Sequence, residues 1–316
     1  MFFLAVKRLL ERKSCLFVGN TTFTTFLVRP GRTYCTRVGM IDEEKAGPVR
    51  LLGVAGYQDR SNDVVYCGPR LQNEGQDTVV YFGGDIQDFK ESMESHRDNK
   101  NYVTWSLDNT ALILQATFPN SHIIVVRPSK MEYKTFSCFQ NFVPSGNCGV
   151  PHHIQMHHCL QHLDTLIANI GNQVNKPLNH DLTIIGFSKG CVVLNQCLYE
   201  FSTMKEKDEF VSRIKNMFWL DGGHSGGKNT WVTSKPLLQT LANFGINVHI
   251  HVSPYQVQDD RRPWIKKEEK IFYTTLRNFN ACVQRRVHFG DLPPSIVQHF
   301  SILNEFYEGH STEDGT

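Results

Sequence analysis

The chain has 316 residues, 40% hydrophobic and 20% charged, with 21 Phe, 10 Tyr and 4 Trp, which is enough apolar material for one large core and excludes a disordered or fibrous chain. The net charge of +2 is unevenly spread: residues 1–40 carry seven basic side chains (Lys7, Arg8, Arg12, Lys13, Arg29, Arg32, Arg37) against one acid, Glu11, which leaves the remainder at about −4. A slightly acidic body lacks the basic footprint of a nucleic-acid-binding domain, so no nucleic-acid partner is expected.

Residues 1–40 read as a mitochondrial targeting segment. They are basic, nearly free of acids and rich in Ser and Thr, and Phe2, Phe3, Leu4, Val6, Leu9 and Leu10 fall on one side of a helix. A secretory signal competes, but Lys7 and Arg8 interrupt the apolar stretch and no A-x-A-like site closes it. The expected location is the matrix. No run of eighteen apolar residues is present, so no transmembrane span is expected.

Beyond this segment strand and helix signals alternate, the pattern of a mainly parallel sheet with helices on both faces. Val49–Val54 and Val64–Cys67 read as an antiparallel lead-in pair, and Thr78–Phe82 as a buried strand ending in the turn Gly83-Gly84-Asp85. A helix over Trp105–Phe118 and a strand over Ser121–Arg127 follow, then a long loop through Phe136, Phe139 and Phe142. His157–Ile170 has helical spacing, Leu182–Ile185 is the central strand, and Lys189–Glu200 is the helix after it. Next come a strand (Asn216–Leu220), a helix (Lys235–Asn243), a strand (Ile246–Val252), a helix (Trp264–Phe279), a strand (Val283–Phe289) and a closing helix (Pro294–Tyr307). No linker composition divides the body, so residues 41–309 are expected to form one α/β-hydrolase-like domain and 310–316 a disordered tail.

The chemistry centres on Gly186-Phe187-Ser188-Lys189-Gly190. A serine hydroxyl is a weak nucleophile unless it is exposed on a tight turn, placed beside a base and faced by an oxyanion site. G-x-S-x-G between an apolar strand and a helix meets the first condition, and the Lys189 N–H at the helix start is the expected first oxyanion donor. The Lys189 side chain is expected to face solvent. The second donor is expected from the glycine turn after Phe82, at the N–H of Gly84 or Asp85.

In this topology the base is a His that follows both the Ser and the acid. Of fourteen histidines, His299, beyond the last strand and the Pro293-Pro294 loop, fits best; His288 lies at the end of that strand, where it points into the sheet. Two aspartates follow strands on the required side. Asp221 directly ends Met217-Phe218-Trp219-Leu220, and Asp259 follows the next strand; Asp221 is preferred because a carboxylate at a strand end is held rigidly. The cluster His152, His153, His157 and His158 has a four-residue spacing but no completing carboxylate, so no metal and no cofactor is expected. Nine cysteines, an odd number without a C-x-x-C pair, read as reduced and mostly buried.

The blocks GFSKGCVVLNQ (Gly186 to Gln196), WLDGGHSGG (Trp219 to Gly227), NTWVT (Asn229 to Thr233) and HVSPYQV (His251 to Val257) closely resemble the chromosome-two open-reading-frame sixty-nine family, over about residues 77–306. The resemblance implies a mitochondrial protein of hydrolase fold without a settled substrate, linked to respiratory-chain upkeep and glycogen metabolism. This chain departs from it in a short turn, Gly171 to His180, where the family carries a long polar insertion. Two functions are therefore weighed. One is a serine esterase, lipase or thioesterase acting on a small acyl substrate or a lipid; the other is an inactive hydrolase-fold scaffold that works through a mitochondrial protein partner. The stretches Phe136–Phe142 and Gly226–Thr233 are placed either to cover the site or to pack as surface.

Overall fold

The computed structural model of the chain describes residues 47–71 and 76–307, together with three strands nearer the N-terminus. The chain divides into two units, residues 1–46 and 47–316. In the first, strands Leu16–Gly19, Thr22–Arg29 and Arg32–Arg37 form an antiparallel sheet. The helix expected at residues 2–10 and the tail expected at 310–316 lie outside the described residues.

The second unit is built on an eight-stranded sheet of β1 (Val49–Ala55), β2 (Ser61–Cys67), β3 (Thr78–Phe82), β4 (His122–Val126), β5 (Leu182–Phe187), β6 (Ile214–Leu220), β7 (Asn247–Val252) and β8 (Val283–Val287). Its spatial order is β1-β2-β4-β3-β5-β6-β7-β8, with β3 to β8 parallel and β1 and β2 antiparallel to their neighbours. That order, with β3 between β4 and β5, is the α/β-hydrolase fold.

The central strands β3, β4 and β5 are buried on both faces because both faces are covered, whereas the edge strands β1 and β8 are largely exposed. All five residues of β3 are buried, and alternation sends Val80 and Phe82 to one core and Val79 and Tyr81 to the other. The first core takes α2 (Cys159–Val174), α3 (Cys191–Phe201), α4 (Lys235–Asn243) and α5 (Pro263–Asn278); the second takes α1 (Leu107–Thr117) and α6 (Ile296–Glu305). In α2 the stripe Leu160, Leu163, Leu166, Ile167 and Ile170 is buried at helical spacing.

Helix α2 starts at Cys159 rather than His157, because the buried Glu200 carboxylate accepts the N–H groups of Cys159 and Leu160 and so satisfies the first turn. His153 and His157 therefore lie before the helix and do not stack on one face; each ring instead reaches a backbone carbonyl, of Val192 and of Gln140. The loop after β4 contains a hairpin, Lys130–Glu132 with Phe136–Cys138. Phe139 and Phe142 pack edge-on against Phe82 in the core. Of the described cysteines Cys67, Cys138, Cys159, Cys191 and Cys197 are buried, Cys148 is half-buried, Cys282 is exposed, and all are free. Among the described residues no helix is long and apolar enough to cross a membrane.

Candidate active site

Strand β5 is buried throughout and runs into Ser188, whose φ of 51° lies in the left-handed region that non-glycine residues seldom occupy. A single 3-10 turn, Ser188–Gly190, leads into α3. Two glycines permit this turn. A Cβ on Gly190 would sit 1.9 Å from the Phe82 carbonyl oxygen, and one on Gly186 would sit 2.9 Å from the Cys191 backbone. The elbow is thereby pressed against the end of β3, which brings the glycine turn there beside the serine: a Cβ on Gly84 would lie 2.8 Å from Ser188 Cβ.

The two sides of that glycine turn differ. The Gly84 N–H donates to Gln87 Oε1 at 2.8 Å, and the same oxygen accepts the Tyr81 hydroxyl, so Gly84 is committed to holding the turn and is not an open oxyanion donor. The Asp85 N–H has no partner among the described residues. Its carboxylate lines the cavity, accepts the Ser137 N–H at 2.8 Å and lies 3.7 Å from Lys189 Nζ; burial raises its pKa above the ordinary aspartate value.

Lys189 contradicts the expectation of a solvent-facing side chain: it is fully buried. Its ammonium donates to the Cys148 carbonyl at 2.7 Å and pairs with Asp85, so the charge is met by groups from two loops that fold over the elbow. The Lys189 N–H lies in the first turn after Ser188, where backbone donors lack an intrahelical acceptor.

Asp221 follows β6 directly, with its N–H bonded to the carbonyl of His251 on β7. The carboxylate is inaccessible to solvent. Oδ1 accepts the Ser253 N–H at 2.7 Å, and Oδ2 accepts the Ser253 hydroxyl at 2.6 Å and His299 Nδ1 at 2.7 Å. Three donors offset the desolvation of a buried carboxylate. An ionised carboxylate can only accept, so this bond requires a proton on His299 Nδ1. The imidazole, on the first turn of α6, is held between the rings of Phe187 and Tyr255, with centroids 4.5 and 4.6 Å away. His299 and Ser188 line one cavity of about 280 Å³ with Asp85, Tyr255 and Arg262. Among the described residues no hydrogen bond joins Ser188 to His299.

The two alternatives are placed elsewhere. Asp259 is held by Arg261 and Arg262, whose hydrogen bonds pull its carboxyl down to about 2, and among the described residues no hydrogen bond or ion pair joins it to His299. His288 bonds through Nε2 to His251 Nδ1 at 2.8 Å. Sequence reasoning missed Ser253, Tyr255 and Gln87. Ser253 and Tyr255 fall within the block His251 to Val257, but their roles depend on partners from other strands. Neither of the two stretches expected near the site, Phe136–Phe142 and Gly226–Thr233, lines the cavity; the residues just before the second, His224 and Ser225, do.

The C2orf69 family model matches residues 50–181 and 171–282, two segments that meet at the short turn after α2. A mitochondrial protein C2orf69 homolog of Danio rerio is 40% identical over 293 residues, covering 83% of this chain and 86% of its own length. Mitochondrial protein C2orf69 of Homo sapiens is 36% identical over 337 residues and 87% of each chain. Among solved structures, poly(aspartic acid) hydrolase-1 from Sphingomonas sp. KT-1 aligns at 12% identity and a TM-score of 0.48, over 83% of this chain and 97% of that one. A thermostable esterase aligns at 13% identity and a TM-score of 0.43, over 76% of this chain and 54% of that one, so this chain spans about half of its length. The relatives matched along most of the sequence carry mitochondrial names, and with the family model covering most of the folded unit the chain belongs to the C2orf69 family.

Proposed function

We propose that the chain is a mitochondrial serine hydrolase that cleaves small carboxylic esters or thioesters through an acyl-enzyme on Ser188. The observation that carries the reading is the 2.7 Å bond between His299 Nδ1 and the buried Asp221, made by an imidazole that lines the same cavity as Ser188. In the proposed reaction His299 Nε2 takes the Ser188 Oγ proton as Oγ attacks the carbonyl carbon, and Asp221 stabilises the imidazolium. The N–H groups of Lys189 and Asp85 receive the oxyanion. Collapse expels the alcohol or thiol, which leaves with the proton from Nε2, and water repeats the sequence to release the acid. The modest cavity favours short acyl groups over long-chain lipids. The basic N-terminal forty residues, together with relatives named as mitochondrial, support a matrix location.

Turnover of 4-nitrophenyl acetate and butyrate tests this reading. Ser188→Ala is expected to lower kcat by at least about 10⁴-fold while its melting temperature stays close to that of the unaltered chain. Equal rates for folded Ser188→Ala and unaltered protein would contradict it, and no turnover by either would favour the scaffold reading.

A further inference from the structure

The cavity beside Ser188 also holds a cation whose charge is incompletely balanced. Arg262 lines it; Nε donates to Asp259 Oδ2 at 2.8 Å, Nη2 lies 3.4 Å from the Tyr255 carbonyl, and among the described residues Nη1 makes no hydrogen bond. Asp259 is shared, because its other oxygen accepts Arg261 Nε at 3.1 Å and the Arg261 N–H at 3.0 Å. One carboxylate thus serves two guanidinium groups, and Asp260, the next residue, makes no hydrogen bond or ion pair with either among the described residues.

Apart from Asp259, no charge around the cavity forms an ion pair with Arg262 among the described residues. Asp85 is paired with buried Lys189, the Asp221 carboxylate is closed off from solvent among donors of its own, and burial holds His224 down to about 4 and therefore neutral. The Arg262 side chain is 25% exposed, so it is reachable. Its guanidinium lies 5.8 Å from the centroid of the Tyr255 ring, which itself packs against His299 at 4.6 Å, so the cation stands one aromatic ring away from the imidazole. With Nε anchored on Asp259, the Nη1–Nη2 edge of the planar group is set to offer two parallel N–H donors, the geometry that matches a carboxylate or phosphate.

We infer that Arg262 recognises an anionic group, a carboxylate or a phosphate, on a short acyl substrate of this site. The substrate class is therefore small esters or thioesters that carry a negative charge a few atoms from the scissile carbonyl. This rests on the reading of Ser188 as nucleophile for the reaction, though not for the binding.

Binding is measured first, with folded Ser188→Ala protein, comparing succinamate and 3-phosphonopropanamide with neutral butyramide by calorimetry. The anionic amides are expected to bind about tenfold or more tightly than butyramide, and the stronger of the two identifies the group. Arg262→Leu is expected to remove this preference and Arg262→Lys to retain part of it, since the charge stays and the fork is lost. Arg261→Leu, which deletes an exposed cation on the same aspartate, leaves most of it. In the Ser188-containing protein, the kcat/KM ratio of 4-nitrophenyl hemisuccinate to 4-nitrophenyl butyrate is expected to fall about tenfold on Arg262→Leu. Equal binding of charged and neutral amides, or a preference that survives Arg262→Leu, overturns the inference. An Arg262-dependent binding preference without hydrolysis overturns the nucleophile reading alone.

Discussion

Asp221 bears the heaviest electrostatic load in the candidate site: a carboxylate closed off from solvent, with each oxygen bonded and one of them shared between Ser253 and His299. Replacing it by Asn keeps the shape but allows the amide to donate, which inverts the preferred His299 tautomer. Asp221→Asn is therefore expected to lower kcat on a 4-nitrophenyl ester by on the order of 10⁴-fold, whereas Asp259→Asn, which leaves the Asp221–His299 bond in place, is expected to cost far less; steady-state kinetics of both variants checks this. The sequence leaves these two aspartates open because each follows a strand on the correct side. What separates them is local: Asp259 has Arg261 and Arg262 two and three residues on, which claim its oxygens, while Asp221 is followed by glycines that claim nothing. Lys189 is misread for the opposite reason. A lysine in a turn is normally solvated, and the carbonyl and carboxylate that satisfy it here belong to Cys148 and Asp85, on loops remote in sequence.

At the scale of elements, the elbow is a three-glycine junction between β3 and β5. Gly190→Ala forces a Cβ to 1.9 Å from the Phe82 carbonyl oxygen, a backbone atom at the end of the central strand β3 that has no easy retreat. The expected loss is roughly 3 kcal/mol, seen as a melting temperature about 6–12 °C lower; an unchanged melting temperature would show that the elbow is not packed this tightly. The strands around this junction are legible in the sequence because each is a short β-branched or apolar run bounded by turn residues. Helices α1 to α6 are legible because they are long enough to show a stripe. The short helices Lys90–Glu94, Glu209–Arg213 and Pro254–Val257 are not, since four or five residues cannot establish a period. The start of α2 is misplaced because its cap is the side chain of Glu200, on another helix.

For the whole molecule, the buried histidines set a pH dependence. Burial holds His122, His153, His162 and His224 down to about 4 and His251 to about 3, against 6.5 for the free side chain. The folded state keeps these rings neutral where the unfolded chain would protonate them. Their full stability is therefore present above pH ~6.5 and falls as the pH drops through the window from ~6.5 to ~4, by about 1.4 kcal/mol per pH unit for each fully affected ring. Urea unfolding midpoints at pH 7, 6 and 5 should decline in that order, and a midpoint that rises toward pH 5 would contradict the assignment of neutral, buried rings. The same accounting explains why fourteen histidines do not obscure the site. His122 bonds to Tyr66, His162 to Asn62 and His251 to His288, whereas His299 combines a carboxylate on one nitrogen with a place in the cavity wall at Ser188.

The most direct test of the central claim is covalent labelling of the folded protein by a fluorophosphonate at neutral pH, with the modified peptide located by mass spectrometry. One stoichiometric label is expected on Ser188, lost in Ser188→Ala and strongly slowed in His299→Ala. A folded protein that takes no label at Ser188, or that labels equally well without His299, would contradict it.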